Sequence, residues 1–149
     1  MKKVLIVLTV AVSIIACKSS DKKTDPAPLT AEEKEKAKTD SSSFTTIQWL
    51  DSTFLNLGKV KKGKTVEVSF RFKNTGSKQL VIADVSAGCG CTIPEKPEQP
   101  FAPGEEGVIK AKFESKNQSI GPHQKVVSVT ANTNTPNPIQ LNFKVEITE

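Results

Sequence analysis

Cys89 and Cys91, separated only by Gly90, are the side chains in this sequence best equipped for chemistry. Two thiols this close can do three things. They can form and exchange a disulfide, hold a soft metal ion as two thiolates, or fill space as small polarisable core residues. In an extended strand, residues two apart have Cα atoms roughly 6.6 Å apart, whereas a bridge needs about 4.4–6.8 Å with convergent Cβ vectors. A straight strand therefore sits at the limit, and Gly90, with Gly88 before it, is the expected source of the kink a bridge would require. Such a small ring would be a poor chain-entropy staple and open to exchange. For metal capture, a closed zinc site takes four ligands. Beyond the two thiols the chain offers one histidine, His123, and no methionine after Met1. His123 sits between Pro122 and Gln124 and reads as a solvent-facing turn residue, which leaves a two-coordinate Cu(I) site as the metal alternative.

The surrounding pattern favours packing as the first reading. Val85, Ala87, Cys89, Cys91 and Ile93 occupy odd positions, while Asp84, Ser86, Gly88, Gly90 and Thr92 occupy even ones. In an extended segment both sulfurs then face the apolar side. Upstream, Leu80 and Ile82 are even, so the phase switches near Ala83-Asp84, which implies a bulge or a strand end. Packing, redox exchange and soft-metal capture all stay open for this pair.

The elements around the pair are strands. Val66, Val68, Phe70 and Phe72 alternate with Glu67, Ser69, Arg71 and Lys73, and the run ends at the turn residues Asn74-Thr75-Gly76. Similar alternation marks 109–114, 127–131 and 141–148, with further strands near 45–50, 53–57 and 79–85. No apolar repeat of helical period follows residue 43. Prolines, Pro94 and Pro122 among them, are expected between strands. About seven short strands with intervening turns predict an all-β fold, an antiparallel sandwich of immunoglobulin type over 44–149 with Trp49 and the phenylalanines in its core.

The N-terminal region differs. Lys2 and Lys3 precede an apolar run of about a dozen residues, too short for the roughly 20 of a spanning helix, and the chain turns polar after Cys17. A basic start, short apolar stretch and small residue before the break describe a secretory leader. Ile14-Ile15-Ala16-Cys17 resembles the lipobox of bacterial lipoproteins, which implies cleavage after Ala16 and a lipidated Cys17. The resulting expectation is a signal over 1–16, lipidated Cys17 with a flexible polar tether over 17–43, and the sandwich beyond. Within the tether, Thr30-Ala31-Glu32-Glu33 fits a capping box before a short helix that has no apolar face to pack. If lipid consumes Cys17, Cys89 and Cys91 are the thiols left to an oxidising compartment.

Composition narrows function. From Phe44 onward there are 13 basic and 10 acidic side chains, net +3, which gives no basis for nucleic-acid binding. Lys59, Lys61, Lys62 and Lys64 cluster around Gly63 and read as a solvated hairpin turn. No phosphate loop, Ser-His-Asp arrangement or helical metal motif is present, and Glu95, Glu98, Glu105 and Glu106 fall on expected loops without acid–base pairing. The expectation is a non-enzymatic protein with no cofactor.

The segment "FRFKNTGSKQLVIADVSAGCGCTIPEKPEQPFAPGEEGVIKAKFESK" resembles the bacterial family called domain of unknown function 1573. The resemblance rests on Asn74-Thr75-Gly76, Cys89-Gly90-Cys91-Thr92, the Pro94–Pro100 link and Pro103-Gly104-Glu105, and covers about residues 50–148. It implies an immunoglobulin-like sandwich, often carried by lipoproteins of the Bacteroidota, with the C-x-C pair part of the family pattern. Lys18 stands where an aspartate would resemble an inner-membrane retention signal, and "CKSSDKK" partly resembles a surface-export signal. These features lead to the expectation of a lipid-anchored protein of the outer membrane, on either face, that binds the membrane through Cys17 and a partner protein of the envelope through its sandwich.

Overall fold

A computed structural model describes residues 27–135 and 137–149. The expected leader and Cys17 lie outside the described residues. Eight strands follow one short helix: β1 (Ile47–Trp49), β2 (Phe54–Lys61), β3 (Thr65–Asn74), β4 (Ile82–Ala87), β5 (Thr92–Glu95), β6 (Glu106–Glu114), β7 (Gly121–Ala131) and β8 (Ile139–Thr148). They form two four-stranded sheets, ordered β1-β3-β6-β5 and β2-β8-β7-β4. Pairing is antiparallel except between β2 and β8, which run parallel from Phe54↔Asn142 to Lys61↔Thr148.

The alternation read in the sequence sets which faces meet. Val68, Phe70 and Phe72 of β3 and Ile109, Ala111 and Phe113 of β6 point inward from one sheet. Val127, Val129, Leu141, Phe143 and Val145 point inward from the other. The two layers interlock through Phe113 of β6 and Phe143 of β8, whose rings meet edge to face at 5.7 Å. Each such side chain contributes roughly 1.5–3 kcal/mol when fully buried. Trp49 is only half-buried, edge-on to Phe72 at 5.7 Å, and Phe54 is 45% exposed, so neither fills the core as expected.

Several expectations need correcting. The additional strand is β5, which contains Pro94. It lies at a sheet edge, where a missing N–H interrupts no ladder. Pro122 is also inside a strand, β7, in a stretch paired with β8 but beyond the reach of β4. His123 is therefore a strand residue, with Nε2 2.8 Å from the Ser119 carbonyl oxygen. Lys62-Gly63 does form a tight turn, with Lys64 N–H donating to Lys61 O at 3.2 Å, but it joins strands of different sheets and is no hairpin. The phase switch near Ala83 is present as a register shift between Ile82 and Asp84.

One end of the sandwich is closed by two buried asparagines. Asn74 accepts from Thr45 Oγ1 (3.0 Å) and Gly76 N–H (3.2 Å), and donates to the carbonyls of Lys78 (2.7 Å) and Phe101 (3.0 Å). Asn132 accepts from Val81 N–H (2.7 Å) and donates to the carbonyls of Ser43 (2.7 Å) and Gln79 (3.0 Å). Loops that lack a strand partner thereby satisfy their backbone groups. Gly76 fits here for steric reasons rather than for a left-handed backbone: a Cβ would stand 2.1 Å from Thr45 Oγ1 and 2.7 Å from Thr46 N. Gly107 is similar, its virtual Cβ lying 2.5 Å from the rings of Phe72 and Phe101.

Residues 31–39 depart from the expected tether. The capping box forms, with Thr30 and Glu33 bonded reciprocally, and opens helix α1 (Ala31–Thr39). The helix lies against β4 and β7 although it has no apolar stripe. Lys34 ties it to the link that follows β5. Its stem is buried, and Nζ reaches Glu98 Oε2 at 2.5 Å, while Leu29 N–H donates to the Glu98 carbonyl at 3.4 Å. Farther on, Ser43 O accepts from Asn132 and Ser42 O from Lys78 Nζ, so residues 29–43 are tied to the sandwich.

Two outcomes are expected from these contacts. Asn74→Leu removes all four hydrogen bonds of a fully buried side chain and should lower unfolding stability by about 3 kcal/mol or more, and Gly107→Ala by about 1–3 kcal/mol through overpacking, both read by urea unfolding. The hydrogen bond from Lys34, and then its charge, hold the Glu98 carboxyl below the ordinary carboxylate range. A depressed folded-state pKa means the contribution is complete above that range and lost as pH falls through the depressed value. Amide protection in α1 should therefore fall on acidification before that of the sheets, and Lys34→Ala should produce the same loss at neutral pH. Protection unchanged in both experiments would show that something else holds the helix.

Candidate functional site

Strand β4 ends at Ala87, and the chain then crosses from one sheet to the other through Gly88-Cys89-Gly90-Cys91 before starting β5. The cysteines thus sit on a turn rather than on the extended strand end the alternation suggested. They are bonded to each other, with Cα atoms 5.3 Å apart. Of the three readings, the structure takes the bridge. Neither sulfur is then a thiolate, the form a soft metal would need. The side-to-side difference read from parity persists, since both cysteines are half-buried while Gly88 and Gly90 are exposed.

The turn is anchored by the backbone. Thr92 N–H donates to Cys89 O at 3.2 Å, and Glu114 N–H, at the end of β6, donates to Cys91 O at 2.8 Å. Neither Gly88 nor Gly90 has a positive φ, and a Cβ on either would meet nothing within 4 Å. The kink is therefore a product of the two anchoring bonds and does not depend on glycine. Cys91 packs against the edge of the hydrophobic core. Cys89 instead lines an open recess of about 240 Å³ with Gly88, Gln124, Lys125 and Val126. Lys125 is held there by Gln118 Oε1 at 2.9 Å and stands over the Phe113 ring at 5.8 Å. Thr92 is 4% exposed, and its hydroxyl lies 3.7 Å from Cys89 Sγ and 3.9 Å from Cys91 Sγ.

The carboxylates singled out in the sequence are dispersed and occupied. Glu95 is in β5, bonded to Lys112 at 2.9 Å, an interaction that holds its carboxyl below the ordinary range. Glu98 pairs with Lys34, Glu105 accepts from Ala102 N–H at 2.8 Å, and Glu106 faces Lys73 at 3.4 Å. His123 is bonded to Ser119. The structure therefore brings together Cys89 and Cys91 and keeps the other candidates apart. Among the described residues no group of three or more His, Cys, Asp or Glu side chains is arranged to hold a metal.

Sequence reasoning missed a second feature on the opposite edge of the same sheet. Leu50 N–H donates to Arg71 O and Thr75 N–H to Thr46 O, each at 2.9 Å, so the even-numbered residues of β1 bond β3. The backbone groups of Ile47 and Trp49 face away from the sheet. Beside them lies an open apolar groove of about 360 Å³ lined by Ile47, Trp49, Thr135, Pro138, Ile139 and Gln140. The sequence carried no signal for it: Trp49 reads there as a core residue, and only the fold leaves it half-buried beside the groove.

Two packed four-stranded sheets with these crossings define an immunoglobulin-like β-sandwich. Residues 47–147 match the family described as "Protein of unknown function (DUF1573)", and the chain belongs to that family. Among solved structures it is similar to a protein of unknown function from Porphyromonas gingivalis W83, with a TM-score of 0.62 and 16% identity. That likeness covers 71% of this chain and 48% of the other, so this chain spans about half of its length. It is also similar to the ASH / PapD-like domain 7 of human CEP192, with a TM-score of 0.56, 9% identity and coverage of 97% and 99%. Likeness at these identities describes the fold alone. No curated protein matches the chain.

A bridge closed over one intervening residue constrains the unfolded chain little. Replacing both cysteines by serine should therefore lower stability by at most about 2 kcal/mol, and Gly90→Ala should leave it unchanged. Denaturant unfolding checks both, and a loss of twice that size would identify the bridge as a structural staple.

Proposed function

We propose that this protein is a lipid-anchored, non-enzymatic binding module of the bacterial cell envelope, held at the outer membrane through Cys17. It recognises an envelope protein by strand addition at β1. The supporting observation is the contrast among the four sheet edges. β2 ends in Lys59 and Lys61, a charged edge that discourages pairing. Helix α1 lies against β4, and β5 is four residues long and contains Pro94. The β1 edge alone combines outward backbone groups with an apolar groove. An extended segment can bond the backbone of Ile47 and Trp49 while alternate side chains enter that groove. The leader-like N-terminus and the position of Cys17 support the address.

Two measurements test this reading. Metabolic labelling with a palmitate analogue should mark the wild-type chain and not Cys17→Ser, and membrane fractionation should follow the label. A photo-crosslinker in place of Leu50, which is 37% exposed and follows the groove residue Trp49 in the chain, should capture one recurrent envelope protein in intact cells. The same probe in place of Lys61 should not, and Trp49→Asp should abolish capture while the circular dichroism of the chain is retained. Equal capture from both positions, or capture indifferent to Trp49→Asp, would overturn strand addition at β1.

A further inference from the structure

We infer that the Cys89–Cys91 bridge is an exchangeable disulfide that accepts two electrons from a dithiol substrate, with Cys89 Sγ as the atom attacked. The inference goes beyond the binding reading and does not rest on it. Four features of the turn carry it. The bridge spans a single residue, so it adds little to the fold as a constraint. It lies at the surface on a turn whose flanking glycines are not demanded by the backbone, and a Cβ at either would meet open space. An approaching sulfur therefore meets bare main chain on both sides of Cys89. The two sulfurs are also inequivalent, because Cys89 lines the recess and Cys91 is packed against the core.

The fourth feature is Thr92. A buried hydroxyl ordinarily bonds oxygen or nitrogen, but this one has the two sulfurs as its side-chain hydrogen-bonding neighbours. In the bridged state it gains little there, since sulfur is a weak acceptor. When the bridge opens, the same hydroxyl can donate to a full thiolate, a bond of the stronger, charge-assisted kind. The arrangement favours the reduced form over what the turn alone would give. Lys125 is one of the residues lining the recess with Cys89, its ammonium bonded to Gln118, and a cationic side chain there favours an incoming thiolate.

The exchange balances as follows. One substrate thiol gives up its proton, and its thiolate attacks Cys89 Sγ along the S–S axis. The Cys89–Cys91 bond breaks and its electron pair leaves on Cys91 Sγ, beside the Thr92 hydroxyl. The substrate is now joined to Cys89 as a mixed disulfide. Its second thiol, deprotonated in turn, attacks the substrate sulfur of that bond, which releases Cys89 as a thiolate. The two released protons neutralise Cys89 and Cys91, leaving the substrate oxidised to a disulfide and the bridge reduced to two thiols. Thr92 touches both sulfurs of the bridge, and as the bond breaks its hydroxyl donates to the thiolate left on Cys91 Sγ.

The test uses the full chain carrying Cys17→Ala, with dithiothreitol as the dithiol probe, intact mass as the readout and folding followed by circular dichroism. Reduction is expected in the folded state, reversed by oxidised dithiothreitol. Gly88→Leu, which covers the approach to Cys89, should slow reduction about tenfold with the equilibrium unchanged, as exchange rates depend on access. Cys91→Ala should form a mixed disulfide with an aromatic disulfide reagent at least about tenfold faster than Cys89→Ala. Thr92→Val should move the pH profile of thiol alkylation upward and shift the exchange equilibrium toward the bridge, changes a purely structural threonine would not produce. A bridge that resists excess dithiothreitol until the chain is denatured would overturn the inference. So would equal trapping at both cysteines, or a Gly88→Leu chain reduced as fast as the parent.

Discussion

The arrangement rests on a requirement that every buried amide find a partner where the strands run out. Asn74 ends β3 and Asn132 follows β7, one on each sheet, and both are almost fully enclosed. An asparagine side chain carries two donor hydrogens and can accept two more, and Asn74 uses all four positions. Together the pair binds Ser43, Thr45, Gly76, Lys78, Gln79, Val81 and Phe101, all of which lie outside the eight strands. This network fixes how the two layers meet at one end. At the other end Ser115 does the same on a smaller scale, its single hydroxyl hydrogen shared between the carbonyls of Lys64 (2.7 Å) and Lys61 (3.0 Å) while the oxygen accepts from Lys64 N–H.

The fold was legible wherever burial on one face imposed a period of two. The alternation from Val66 to Phe72 and from Leu141 to Ile147 gave both strands and the faces they bury. The bulge at Ala83 was legible because a change of parity on a buried strand has few other causes. What escaped was whatever depends on partners distant in sequence. Pro94 argues against a strand until β5 is known to be an edge. Parallel pairing of β2 with β8 leaves no local trace. Lys34 looked like one more charge in a polar run, and only the position of Glu98 turns it into an anchor. Gly76 and Gly107 were visible as glycines, but their reason, the lack of room for a Cβ, is a property of packed neighbours.

The site divides in the same way. Cys89 and Cys91 stood out at once, and the geometric limits of an extended pair correctly placed the decision in the local backbone. The alternation argument assumed that the strand continued, and on that assumption packing was the natural choice. The chain leaves β4 two residues earlier, and its turn is tied down by Thr92 N–H and Glu114 N–H. Those bonds bring the Cα atoms to 5.3 Å without help from glycine. Thr92 and Lys125 acquire their relation to the sulfurs only through the crossing between sheets, which no residue spacing discloses.

The parallel pairing of β2 with β8 has a further consequence, in the order of assembly. Strand β8 lies between β2 and β7, so the sheet that joins the second strand of the sandwich to the eighth cannot close without residues 139–148. Joining Phe54 to Asn142 encloses most of the domain in a single loop, and contacts this remote form late because loop closure must come first. A chain emerging in order, N-terminus first, holds β3, β6 and β5 as one sheet while β2 still waits for its neighbour. Final closure thus waits for β8, and a chain whose residues 139–148 are still held elsewhere stays open along β2.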